Sequence, residues 1–195
     1  RYEGEVAAAD SAVGDLVRTF REQRPGATVI LTADHGEELG DHGGWYHGST
    51  LHEEQIRVPL IWSSPGHTDP HRVSNPVELV DIATTVLAAA GIPREARMRG
   101  DDLGPQLAGA ELDAPQYAFA SIRDERMATD GRHKLVCDQQ GRCRLYDLDE
   151  DPLERHDHGQ TDLDRVRLMR AASSQFVGSI PRIEAMAMTG DVGWP

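Results

Sequence analysis

Three things are scarce in this sequence, and each shortage removes a class of function. Positive charge is the first: 20 Lys and Arg against 33 Asp and Glu leave a formal net charge of −13 over 195 residues. Surfaces that hold nucleic acid or an anionic membrane need clustered cations to displace counterions, so neither partner is expected, and electrostatics points to local anion capture at most. Long apolar runs are the second. The longest, residues 58–62 and 86–92, fall far short of the ~20 residues a bilayer demands, so no membrane-spanning segment is expected. Cysteine is the third, with only Cys137 and Cys143, too few for a metal centre of their own. They flank the turn-like stretch 138–142 between two short apolar pieces, where a cross-strand disulfide and a pair of reduced thiols both fit. Internal repeats and low-complexity tracts are missing too. So is an initial Met: the chain opens on Arg1-Tyr2-Glu3, as expected of a sequence that starts partway through a longer protein.

What remains is patterned like a globular α/β chain, with 38% hydrophobic and 27% charged residues. Val6, Ala9, Val13, Leu16, Val17 and Phe20 recur at helical spacing, which predicts an amphipathic helix lying on a sheet. Pro25-Gly26 ends it, and the nearly continuous apolar run 27–33 reads as a central parallel strand buried on both faces. A second buried strand is expected over 58–63, and a helix opened by Pro76 and closed by Gly91 and Pro93 over 76–90, with Val77, Val80, Ile82, Thr84 and Leu87 available to pack. Beyond Arg94 the character changes. Short strand-like pieces at 117–122, 126–129, 134–137 and 143–148 predict an antiparallel meander, and 163–177 a closing helix. The expected fold class is therefore α/β: part of a mixed, largely parallel sheet flanked by helices (residues 1–94), then a connector and a small antiparallel sheet with a closing helix (residues 95–195).

The chemistry concentrates between the first two strands. Asp34 and His35 fall just past the carboxyl end of the first strand, where open α/β sheets place their ligand sites. A carboxylate beside an imidazole offers two ligands to a divalent cation, and Gly36 lets the backbone turn away. Asp-His-Gly alone is a common turn. Its surroundings are not common: four of the nine histidines, His35, His42, His47 and His52, share this loop with Glu37, Glu38, Asp41, Glu53 and Glu54. For the later histidines an exposed loop position is the plain alternative, and for Glu53 and Glu54 a solvated helical face.

Residues 28–59, TVILTADHGEELGDHGGWYHGSTLHEEQIRVP, closely resemble the sulfatase-family segment of a strand, Asp-His-Gly or Asp-Asn-Gly, a Gly-rich loop, an aromatic-Glu pair and Arg-Val-Pro. Residues 77–92, with Val-Asp-Ile and a terminal Ala-Gly-Ile, are similar to the family's next helix. Residues 99–109 resemble its Gly-x-Ser-Leu-x-Pro-x-Leu-x-Gly, and residues 145–154 its Leu-Tyr-Asp-Leu-x-x-Asp-Pro-x-Glu. The resemblance implies an alkaline-phosphatase-like sandwich and a sulfate ester hydrolase whose nucleophile is a formylglycine made from Cys or Ser in a Cys/Ser-x-Pro/Ala-x-Arg motif. That motif does not occur in the sequence, so the nucleophile and the paired aspartates that complete the family's metal site are expected upstream of Arg1, and this stretch alone is expected to be inactive. Asp34 and His35 are the implied metal ligands. Calcium is the expected ion, with manganese or zinc also admitted by the imidazole.

The family's usual Lys before the aromatic-Glu pair is missing, and His47 is its expected substitute, binding the anion or protonating the leaving oxygen. Lining the loop is its alternative role. His52 is expected to pack, and Arg57 to form a structural salt bridge. The implied substrate is a sulfated small molecule or carbohydrate. Two rivals stand beside this reading: a phosphonate or phosphate ester hydrolase on the same scaffold, and a catalytically inactive truncated product. Whether the protein is exported or cytoplasmic is left open.

Overall fold

The structure, a computed structural model, describes residues 2–65, 70–110 and 116–179. The last stretch of sequence, which carried no clear pattern, lies outside them. Helix α1 (Tyr2–Gln23) forms where the 3.6-residue period predicts it, yet it buries no residue. Its apolar stripe stays in contact with solvent, Leu16 at 68% and Phe20 at 47% exposure. Strand β1 (Val29–Thr32) pairs with β4 (Leu60–Ser63) in antiparallel register, Val29 opposite Ser63 and Thr32 opposite Leu60. The run predicted a parallel strand covered on both faces. Among the described residues its one strand partner runs the other way, and Leu31 remains exposed. A β-branched run sets the extended backbone; neighbours set burial and direction.

Between these strands the chain makes a two-residue hairpin, β2 (Glu38–Leu39) with β3 (Trp45–Tyr46), and a single helical turn, α2 (Glu53–Ile56). Helix α3 (Leu79–Ala89) then begins at a reciprocal cap, the Glu78 N–H donating to Asp81 Oδ2 at 2.8 Å. It ends in a Schellman turn, Ile92 N–H to Leu87 O at 2.9 Å around Gly91 at φ +68°. Its buried residues are Asp81, Thr84 and Thr85, whereas Val80 is half exposed. The polar face is inside because the connector docks on it: Asp101 N–H donates to Asp81 Oδ1, Leu103 N–H to Thr85 Oγ1, and Thr84 Oγ1 to Arg99 O. Gly100 makes that docking feasible, since at φ +94° a Cβ would lie 2.5 Å from Val80 O. The short helix α4 (Gly104–Leu107) follows.

The second half is the predicted meander: β5 (Ala118–Ile122), β6 (Glu125–Thr129), β7 (His133–Asp138) and β8 (Cys143–Asp147), antiparallel in chain order, with α5 (Leu163–Ser179) closing one face. Alternation along β7 sends Leu135 to the α5 side, where it packs with Leu145, Val166 and Met169. Val136 points to the opposite side, packing with Met127 and with Leu51 from the first half. Each face of this sheet carries a packed apolar cluster. The Cys137 and Cys143 side chains meet at opposed positions of the β7–β8 register and are joined as a disulfide.

Candidate metal and anion site

The geometry around Asp34 follows from how tightly the chain turns after β1. Gly36 N–H donates to Gln55 O at 2.8 Å, bringing the loop against α2 so closely that a Cβ on Gly36 would lie 2.0 Å from Glu54 O. Only glycine fits there, which explains the third residue of Asp-His-Gly by contact rather than by dihedral freedom. The turn leaves the Asp34 carboxylate 89% exposed at the strand end. His35 Nδ1 lies 2.9 Å from Gly36 O. A carbonyl only accepts, so that nitrogen carries a proton, and in the neutral ring the lone pair is on Nε2. Nε2 stands 3.6 Å from Asp34 Oδ1, a spacing that one cation can bridge at ~2.0–2.4 Å from each donor. The outward lone pair, fixed by a backbone acceptor behind the ring, is the arrangement metal-binding histidines use. Asp34 and His35 therefore fit the divalent cation that the sequence resemblance implies.

The β2–β3 hairpin brings the third predicted residue to the same place. Tyr46, at φ +74°, reverses the chain, and the His47 ring lies stacked on His35 with centroids 3.9 Å apart and planes at 22°. Its Nδ1 is 3.3 Å from Glu37 Oε1, and the side chain is half exposed. Asp34, His35 and His47 are thus assembled. His52 is not with them. It lies beneath, its ring stacked on His42 at 3.7 Å, and Arg57 reaches Glu53 only at 4.0 Å while staying exposed.

Beneath the loop the hub is Glu38, 1% exposed, which sequence reasoning had not singled out from its acidic neighbours. Its Oε1 accepts from His42 N–H and Gly44 N–H, its Oε2 from Gln55 Nε2. Burial alone would raise this carboxyl, but the donors from Gly44, Gln55 and His42 outweigh it and hold it below the ordinary carboxylate range. Glu38, His42 and Glu54 present ligand-type atoms within 4.8 Å of one another. They suit a cation poorly, because both His42 ring nitrogens are engaged, Nδ1 with Glu54 Oε1 at 2.6 Å and Nε2 with Leu153 O at 3.0 Å. A second buried group, Lys134 with Glu53 and Glu154, also escaped the sequence reading. A Lys directly before the apolar run Leu135-Val136-Cys137, within the same predicted strand, was the available signal, since a buried charge must find a partner.

A cleft of about 1890 Å³ opens onto Asp34 and His35 between β4, α3 and the β5–β6 side of the second sheet. Arg57, Arg72, Arg99 and Arg126 line it, together with the acidic Asp34, Glu53, Glu78 and Asp149. The cleft therefore carries charge of both signs, which brings arginines within a chain of net charge −13 onto the same cleft as Asp34 and His35.

An α/β half with Asp34 and His35 at a strand end, followed by an antiparallel sheet and closing helix, defines an alkaline-phosphatase-like fold. A solved 2-O GAG sulfatase superposes with a TM-score of 0.67 at 23% identity, covering 77% of this chain and 36% of its own. The phosphonate monoester hydrolase of Agrobacterium radiobacter superposes at 0.65 with 26% identity, covering 77% and 34%. In sequence, the choline-sulfatase of Rhizobium meliloti is 31% identical over 189 residues, 88% of this chain and 36% of that protein. Residues 1–92 match the family described as Sulfatase, and this chain belongs to the sulfatase family. It spans between about a fifth and just over a third of the length of the curated relatives it matches. No helix among the described residues is long and apolar enough to cross a membrane.

Proposed function

We propose that this chain is the cation- and anion-binding part of a sulfate monoester hydrolase. In this reading Asp34 and His35 are ligands of one divalent cation and His47 contacts the sulfate or protonates the leaving oxygen. The observation that carries the reading is the convergence at the end of β1: a free Nε2 lone pair beside the Asp34 carboxylate, with the His47 ring stacked over it. The bound cation, with calcium the expected ion and manganese or zinc admitted, would stabilise negative charge on the sulfate and its nucleophile. Asp34 and His35 orient it, and Gly36 keeps the turn tight enough to present both. His47 directs Nδ1 at Glu37, which leaves Nε2 to meet the anion, donating a charge-assisted hydrogen bond and handing its proton to the departing alkoxide.

The nucleophile, a formylglycine, belongs in this proposal to the remainder of the full-length protein, and these 195 residues alone are expected not to turn over substrate. Residues 1–94 carry the site and residues 95–195 support it. A sulfated small molecule or carbohydrate is the proposed substrate class, in keeping with the names of the choline-sulfatase and GAG sulfatase relatives. The second reading, phosphonate ester hydrolysis, draws on the likeness to the Agrobacterium enzyme.

Assays of the full-length protein with 4-nitrophenyl sulfate and 4-nitrophenyl phenylphosphonate test both. Faster sulfate cleavage, abolished by chelation and reduced by roughly 100-fold or more in Asp34→Asn, His35→Ala and His47→Gln, is the expected outcome. Preference for the phosphonate would move the assignment to the second reading. Hydrolysis of neither ester would point to the inactive product.

A further inference from the structure

Under the site loop lies a set of charged side chains that the proposed chemistry does not use. His42, in the turn between β2 and β3, is engaged at both ring nitrogens, by the Glu54 carboxylate and by the Leu153 carbonyl. Neither acceptor can donate in its ordinary state, so the ring that donates to both is an imidazolium. It lies flat on His52, the planes 5° apart, and His52 Nδ1 is 3.3 Å from Glu154 Oε2. Lys134 Nζ on β7 sits 2.9 Å from Glu154 Oε1 and 3.0 Å from Glu53 Oε1, with Lys134 and Glu154 both fully buried. Two places on the loop segment, His42 and the Glu53-Glu54 turn, are thereby tied to two on the second sheet, Lys134 and the Leu153-Glu154 turn. Around the His42 ring stand Glu38 from β2, Glu54 from α2 and Glu154 from the turn after β8, with His52 against its face and Lys134 beyond Glu154. The carboxylates outnumber the cations.

We propose that His42 is a proton-dependent positioning residue: charged, it ties the turn between β2 and β3 to the second sheet, and on giving its proton to water it loosens that turn and through it the placement of His47, while the contacts of the Glu53-Glu54 turn with Lys134 and Glu154 remain. A neutral ring keeps one N–H. Glu54, as the charged acceptor, retains it, so the bond that breaks is the one crossing to Leu153 O. Burial opposes the charged ring, but the hydrogen bond and charge of Glu54, the Leu153 carbonyl and the charge of Glu154 outweigh it and raise the imidazole above its ordinary range. The tie is then complete below the ordinary histidine pKa and lost as pH rises through the raised folded value. This holds whichever ester the protein hydrolyses.

Imidazole nitrogen NMR on the histidine-labelled full-length protein, read with amide hydrogen exchange, tests the proposal. Both His42 nitrogens should carry protons at neutral pH. The His42 and Gly44 amides, which donate to Glu38, should exchange about fivefold faster, after correction for intrinsic pH dependence, across the interval in which that ring titrates. His42→Gln should remove the pH dependence while leaving the loop folded. A His42 ring with one protonated nitrogen at neutral pH, or exchange that stays flat through its titration, overturns the proposal. Should His42→Gln fail to fold, the wild-type ring and exchange measurements decide between these outcomes by themselves.

Discussion

The two halves of the chain satisfy their apolar residues in opposite ways. The second sheet carries a packed apolar cluster on each face, with α5 on one and Leu51 and its neighbours on the other, and Leu135, Leu145, Val136 and Met169 are nearly inaccessible. In the first half α1 buries nothing, and Leu31 of β1 and Ile61 of β4 stay exposed. The sequence patterns of the two halves are equally regular, so regular patterning does not tell which apolar face finds a cover within the same stretch of chain. The polar groups divide differently. Two fully buried charged side chains, Lys134 and Glu154, sit at the seam where the site-bearing loop meets the second sheet.

Breaking the seam should have the largest effect. Lys134→Met leaves Glu154 buried without its cation and is expected to cost about 3–5 kcal/mol in urea denaturation of the full-length protein, whereas a loss under about 1 kcal/mol would show the seam to be energetically slight. Leu145→Ala in the covered core should cost about 2–5 kcal/mol. Cys143→Ser opens a short disulfide loop and should cost about 2 kcal/mol, read as the difference from wild type under non-reducing conditions.

Acid should reach the seam through Glu154. Burial would raise this carboxyl, but His52, Lys134 and the Glu53 N–H outweigh it and bring it down to about 2. A depressed carboxyl stabilises the fold above its unfolded pKa and loses that contribution as pH falls through the folded value. Urea midpoints should therefore drop between about pH 4.5 and 2, more steeply in wild type than in Glu154→Gln.

The smallest effect is expected at Leu16→Ala on α1, within about 0.5 kcal/mol for the 195-residue chain measured alone. The same change costing about 2 kcal/mol or more in the full-length protein would show that other parts of it cover the helix, and the contrast between the halves would belong to this stretch rather than to the native molecule.

Most elements were legible from period and punctuation. The helical spacing of Val6 to Phe20, the Ala-Gly-Ile-Pro ending of α3 and the evenly spaced strands of the meander report local backbone preferences and a repeating solvent boundary, which sequence carries directly. Asp34 and His35 were legible as candidates from their place past a strand end in a loop rich in histidine and acid, and His47 only through the family resemblance, as the stand-in for the usual Lys. The direction of β1, the polar inner face of α3, the role of Glu38 and the Lys134-Glu154 seam were not. Each depends on a partner far away in sequence: β4 for β1, the Arg99 to Leu103 connector for α3, Gln55 and Gly44 for Glu38, and for Lys134 both a loop residue and a turn beyond β8. Local pattern determined which residues are helical, extended or apolar on one side. Only the tertiary structure decided which faces are covered and which charges are paired, because burial and Coulomb energy depend on distances in space that the order of residues along the chain does not specify.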